Sequence, residues 1–286
     1  MAIEAINDES VGTLPLGDLE VRRLGFGAMR ITGDGVWGEP ADRDGAIAVL
    51  RRAVELGVNL IDTADSYGPA VSEELIAEAL RPYPQDLVIA TKGGFTRPGP
   101  GQWVPNGRPD YLREACEGSL RRLGVNQIDL YQFHVPDSDV PYEESVGALK
   151  DLQDEGKIRQ IGVSNVSLEQ LASAREIVSV VSVQNRFNLG ERTSAEVLAA
   201  CQDDAIAFIP WFPLNAGDLA EPGGPAAEIA ERHGVTPAQV AVAWLLALPA
   251  TLPIPGTSSV AHLEENLAAA YLALSDEEVG ALTAAA

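Results

Sequence analysis

Cysteine is nearly missing from this chain. Two residues, Cys116 and Cys201, occur among 286. Both lie in helix-like stretches without CxxC or metal-ligand spacing, which argues against a disulfide framework and fits a reducing compartment. Basic residues are also scarce, with 20 Lys and Arg against 42 Asp and Glu, a net charge of −22. Such a surface repels nucleic acid and anionic membranes, so neither is expected as a partner. An anionic ligand would need a locally basic pocket. Long apolar runs are lacking too: the most apolar stretch, Val240 to Leu248, is too short to span a bilayer and is bracketed by Pro237 and Pro249. The opening residues are acidic and lack the apolar core of a signal peptide. The expectation is a soluble cytoplasmic protein. No low-complexity region or linker interrupts it, so residues 1–286 are expected to form a single domain.

What is present is a rhythm. Short apolar runs read as strands at Arg23–Phe26, Val58–Ile61, Leu87–Thr91, Ile128–Phe133, Ile158–Val163, Val180–Val183, Ala205–Ile209 and Thr251–Ile254. Between them lie segments of helical periodicity: Asp42–Leu56, Ser72–Leu80, Pro109–Leu123, Pro141–Glu155, Ser167–Ile177, Ser194–Gln202 and Thr236–Ala247. Ser72 before Glu73 and Glu74, and Thr236 before Pro237, read as helix starts. Gly57, Gly124 and Gly156 sit where helices should end. Earlier, Leu16-Gly17-Asp18 marks a small hairpin turn. Eight strands alternating with helices predict an α/β fold, a (β/α)8 TIM barrel with a short N-terminal β-hairpin. A doubly wound sheet is the competing fold, but Gly25-Phe-Gly-Ala-Met-Arg30 lacks the third glycine of its phosphate loop.

Polar residues collect where strands end: Asp62, Lys92, His134, Ser164-Asn165, Gln184-Asn185, Trp211 and Gly256-Thr257-Ser258. In a barrel these converge on one mouth. Each has a structural reading of its own; Asp62 could cap a turn and a lone histidine usually satisfies a core. Jointly they suggest catalysis. A tyrosine is a poor acid near neutral pH, with a reference pKa of about 10. A neighbouring ammonium lowers it, so Lys92 is expected to activate Tyr67, while Asp62 holds Lys92 in place. Tyr67 then donates a proton to a carbonyl oxygen, and His134 orients that oxygen. The Gly93–Pro109 segment, with Phe95, Arg97, Trp103 and Arg108, reads as a long lid or substrate loop. No metal cluster or paired carboxylate set is present, so no metal is expected.

Gly57-Val-Asn-Leu-Ile-Asp62-Thr-Ala, Leu130-Tyr-Gln-Phe-His134, Gly156-Lys-Ile-Arg-Gln-Ile-Gly-Val-Ser-Asn165 and Ile254-Pro-Gly-Thr-Ser-Ser resemble the signatures of the aldo-keto reductase family, and the resemblance covers nearly the whole chain. It implies catalytic Asp62, Tyr67, Lys92 and His134. It also implies an extended nicotinamide cofactor across the mouth. Gly27, Ala28 and Met29 would lie beside the nicotinamide, Ser164, Asn165 and Gln184 would hold its carboxamide, and Trp211 would stack on the ring. Phe212, Pro213 and Leu214 would follow the pyrophosphate. Ile254, Gly256, Thr257, Ser258, His262, Glu265 and Asn266 would take the adenosine end. Many family members carry lysine and arginine where this chain has Gly256 and His262. NADPH is the implied cofactor and NADH the alternative; His262 is either a phosphate contact or an exposed helix residue. Trp37, Trp103, Tyr67 and His134 would contact a small-molecule carbonyl substrate, with pyridoxal or another small aromatic aldehyde the candidate. A monomer or weak homo-oligomer is implied, and the competing function is a cofactor-binding sensor with little turnover.

Overall fold

The computed structural model describes residues 3–214 and 224–285. The chain begins with one helical turn, α1 (Asp8–Val11), and an antiparallel hairpin of β1 (Thr13–Leu16) and β2 (Leu19–Arg22). Gly17 turns this hairpin at a positive φ of 65° that most side chains resist. The alternation then runs β3 (Phe26–Gly27), α2 (Arg43–Glu55), β4 (Leu60–Asp62), α3 (Val71–Leu80) and β5 (Val88–Gly93). A small hairpin of β6 (Phe95–Thr96) and β7 (Val104–Pro105) interrupts it before α4 (Pro109–Leu123). There follow β8 (Ile128–Phe133), α5 (Tyr142–Asp154), β9 (Ile158–Ser164), α6 (Leu168–Ile177), β10 (Val180–Gln184), α7 (Ala195–Asp203) and β11 (Ala207–Phe208). The chain closes with α8 (Pro225–His233), α9 (Pro237–Ala247), α10 (Val260–Ala268) and α11 (Asp276–Ala284).

Seven strands pair in parallel in the order β3, β4, β5, β8, β9, β10, β11. The segment after α9 closes the ring. Phe208 N donates to Ala250 O and Leu252 N to Phe208 O, both at 2.8 Å, and Gly25 N donates to Pro253 O at 3.0 Å. The result is a (β/α)8 barrel. Its eighth strand, expected at Thr251–Ile254, is reduced to a bridge between Thr251 and Phe208. Pro253 and Pro255 have no N–H to extend a ladder.

Inward side chains from the strands, among them Leu60, Ala90, Leu130, Val181 and Ile209, fill the barrel, and Leu16 and Val21 of the hairpin join the same cluster. The hairpin therefore plugs the N-terminal end, leaving chemistry to the other. Opposite faces of the strands pack beneath the helices in two larger clusters. Burial on both faces explains why β5 and β10 read as continuous runs.

Local signals mostly hold. Thr236 caps α9 in a reciprocal box with Gln239, and Gly57, Gly124 and Gly156 take φ of 88°, 65° and 75° at helix ends. Ser72 is a correction. The helix α3 already starts at Val71, and the buried Ser72 hydroxyl instead meets Thr63 Oγ1 at 2.7 Å and donates to Ala28 O at 3.2 Å. The Gly93–Pro109 segment, read as a lid or substrate loop, carries the short paired strands β6 and β7. Among the described residues no helix is long and apolar enough to cross a membrane.

Candidate active site

Asp62 ends β4, Lys92 is the penultimate residue of β5, His134 follows β8, and Gln184 ends β10. Tyr67 comes from the turn after β4, which is tied to β5 by a hydrogen bond from Asp65 N to Lys92 O at 3.2 Å. Lys92 is fully buried, and its ammonium donates to Asp62 Oδ1 at 2.6 Å, Thr63 O at 2.8 Å and Tyr67 Oη at 3.4 Å. All three N–H bonds are used, so the charge can point in one direction only. Asp62 is held as firmly: its Oδ2 accepts from Gln132 Nε2 at 3.0 Å and Gln184 Nε2 at 2.8 Å. Removing one partner from a buried ion pair this well bonded leaves an uncompensated charge.

Burial would push the Lys92 ammonium down, but Asp62 and Tyr67 outweigh it and hold Lys92 above its ordinary value. It is therefore charged. Tyr67 departs from expectation. Burial raises its pKa more than the nearby Lys92 charge lowers it, so the phenol keeps its proton more tightly than a free tyrosine. His134 is held well below the ordinary imidazole value by burial and by the charges of Lys92 and Arg97. It is neutral, and offers one donor and one acceptor nitrogen. The site thus contains a protonated phenol, a fixed cation behind it and a neutral imidazole, with the rings of Tyr67 and His134 edge to face at 5.9 Å. That set suits protonation of an oxygen gaining negative charge.

Asp62, Tyr67 and His134 open onto a cavity of about 1180 Å³, with Lys92 buried behind them. Of the residues read from the sequence, Gly27, Met29, Asp62, Tyr67, Trp103, His134, Ser164, Asn165, Gln184, Trp211, Phe212, Pro213, Leu214, Ile254, Gly256 and His262 line it. The cavity runs from Tyr67 and His134, past Trp211, to His262 at the start of α10. It exceeds the roughly 300–1,000 Å³ of ordinary small-ligand pockets, leaving room for a dinucleotide beside a substrate. Its floor is a close backbone crossing: a Cβ at Gly256 would collide with Gly27 O, and one at Gly27 with Ile254 O. Asn165 takes a left-handed φ of 57°, and its amide donates to His134 O and Ser164 Oγ while accepting from Trp211 Nε1 at 3.0 Å. This chain of contacts fixes an aromatic wall at the mouth beside His134. The residues fit a flat nicotinamide ring.

Other residues lie elsewhere. Ala28, Thr257, Ser258, Glu265 and Asn266 are outside the cavity lining. Thr257 Oγ1 accepts from Ser259 N, and Glu265 accepts from the Thr236 hydroxyl at 2.7 Å. Trp37 is outside the lining, which its neighbour Val36 joins instead. Arg97 of the Gly93–Pro109 segment donates to four backbone carbonyls. His233 pairs with Glu278 at 3.0 Å at the end of α8. Sequence reasoning missed Gln132, which shares a strand face with His134 two residues on, a period-two signal that was available. It also missed Arg30, which lines the cavity and supplies local positive charge in an acidic protein.

A family model described as the aldo/keto reductase family matches residues 23–286. The chain belongs to that family, and so to a class of oxidoreductases. It is 49% identical over 277 residues to an uncharacterized oxidoreductase of Schizosaccharomyces pombe, covering 96% of this chain and 90% of the relative. It is 45% identical over 280 residues to the pyridoxine 4-dehydrogenase of Escherichia coli, covering 96% and 98%. Among solved structures, an aldo-keto reductase of Klebsiella pneumoniae in complex with NADPH superposes with a TM-score of 0.82 at 29% identity, covering 99% of this chain and 94% of that one.

Proposed function

We propose that this protein is an NADPH-dependent reductase of aldehydes or ketones, with pyridoxal or another small aromatic aldehyde as substrate. The observation that carries the proposal is the buried Lys92 ammonium joining Asp62 to the Tyr67 hydroxyl. The cofactor, when bound, supplies hydride from nicotinamide C4 to the carbonyl carbon. Tyr67 gives its proton to the carbonyl oxygen as charge develops there. Lys92 stabilises the tyrosinate left behind, and Asp62, gripped by Gln132 and Gln184, keeps Lys92 in position. Neutral His134 orients the oxygen. Ser164, Asn165 and Gln184 are assigned to the carboxamide and Trp211 to the ring face. His262, exposed on the first turn of α10 and lining the cavity, is assigned a contact with the 2′-phosphate. The 45% identity to a pyridoxine 4-dehydrogenase supports the aromatic substrate.

The test follows NADPH oxidation with pyridoxal in the parent protein and in Tyr67→Phe. A general acid contributes about 10²–10⁴-fold, so kcat should fall by that range while NADPH still quenches tryptophan fluorescence. Undiminished turnover in Tyr67→Phe would remove the proton donor from this account. Quenching without turnover in the parent protein would favour a cofactor-binding sensor.

A further inference from the structure

Phe95 and Trp103 of the β6–β7 hairpin form part of the cavity wall, and one side chain ties the hairpin to two other loops. Arg97 leaves β6 and donates through Nε to Gln102 O at 2.8 Å, within the hairpin itself. Its Nη1 crosses to Val36 O at 3.1 Å and Ser66 O at 2.8 Å, and its Nη2 to Gly35 O at 3.1 Å. One guanidinium therefore ties together the loops that follow β3, β4 and β5. Its plane also lies 3.6 Å from the centre of the Trp103 ring, with Trp37 on another side at 5.6 Å. Trp103 meets Phe95, Tyr67 and His134 edge to face at 5.4, 6.3 and 6.4 Å. Without the guanidinium, an indole on a short two-stranded hairpin would have many rotamers and nothing behind it. Lysine could supply charge but not the planar fork that reaches carbonyls on three loops while stacking on a ring.

We propose that Arg97 is a specificity-determining positioning residue: by clamping Trp103 against the catalytic rings it shapes the cavity into a slot for flat aromatic carbonyl compounds. The proposal rests on the reductase reading above and names the residue that sets its substrate class. Arg97 touches neither the reacting atoms nor the substrate, and acts through Trp103. A slot of this kind favours a planar ring over a short aliphatic chain, which makes little contact with the indole. Loss of the clamp should therefore raise KM for the first kind of substrate and leave the second nearly alone.

The experiment compares pyridoxal with propanal in the parent protein, Arg97→Gln, Arg97→Lys, Trp103→Ala and the Arg97→Gln/Trp103→Ala double variant, with NADPH binding followed by fluorescence quenching. A partly exposed cation–π contact sets the scale, so kcat/KM for pyridoxal should fall about fivefold in Arg97→Gln through KM, against less than about twofold for propanal. Arg97→Lys should recover only part of the loss. In the Trp103→Ala background, Arg97→Gln should cost little more, because the clamp then has nothing to hold. The idea is overturned if both aldehydes lose equally, if kcat falls rather than KM rising, or if Arg97→Gln and Trp103→Ala simply add. Turnover of both aldehydes with unchanged preference sinks this inference alone, whereas a parent protein that reduces neither sinks the reductase reading with it.

Discussion

Replacing Asp65 with asparagine should change how stability depends on pH, because burial raises this carboxyl where an ion pair would lower it. Asp65 stands in the turn between Asp62 and Tyr67, and its Oδ1 is buried without a hydrogen-bond partner. The charged groups around it are Glu73 of α3, Arg122 of α4 and Lys92 of β5; the hydroxyls of Tyr67, Tyr111 and Tyr131 face it as well. Arg122 is already engaged by Glu73 at 2.6 Å, so it compensates Asp65 poorly. Burial first, and then Glu73, push the Asp65 carboxyl from 3.8 up to about 8. Between those values the folded protein holds a proton that the unfolded chain has released. Stability must then fall as pH rises through this window, by about 1.4 kcal/mol per pH unit. From pH 5 to pH 7 the penalty grows by about 3 kcal/mol, and it levels off above about pH 8. Asparagine has nearly the same shape and no proton to lose. Whatever its amide gains or loses in hydrogen bonds is constant with pH, so the difference between variant and parent isolates the titration. Urea unfolding at pH 5, 6, 7 and 8.5 measures it. The parent should lose stability relative to Asp65→Asn at each step up to about pH 8. Parallel curves for the two proteins across that range would refute the reasoning, since they would mean that Asp65 is ionised or solvated in both states.

Three further outcomes follow from the site. Lys92→Met keeps the volume of the stem but leaves Asp62 as a buried charge with two amides only. It should lose most turnover and about 3–5 kcal/mol of stability, read by NADPH oxidation and by chemical unfolding. Gly256→Ala places a methyl group against the Gly27 carbonyl and forces two barrel segments apart. It should cost about 1–3 kcal/mol in urea unfolding. His262→Ala should weaken NADPH binding while leaving NADH binding unchanged in separate fluorescence titrations; equal weakening of both would return His262 to the role of an exposed helix residue.

What the sequence could and could not disclose divides along a physical line. Strand ends were legible because burial on both faces writes continuous apolar runs, and the residue that breaks the run is the one at the mouth: Asp62, Lys92 and His134 were found this way. The eighth strand was legible in place but not in kind, because two prolines remove the donors a ladder needs while hydrophobicity looks the same. Contacts between distant segments left no such mark. Arg97 meets Ser66 across 31 positions, and nothing in its own neighbourhood says that its donors will be spent on backbone rather than on an anion. The same limit governs the charge balance at Tyr67. Sequence order shows that a lysine will stand beside the phenol, which predicts a lowered pKa. It does not show how completely the surrounding protein excludes water, and at Tyr67 that exclusion wins. The sign of a pKa shift is a difference between a partner, which a motif can name, and a desolvation cost, which only the packed fold determines. For this site the consequence is chemical: the Tyr67 phenol keeps its proton, and the tyrosinate is the less stable form, although a buried ammonium stands beside it.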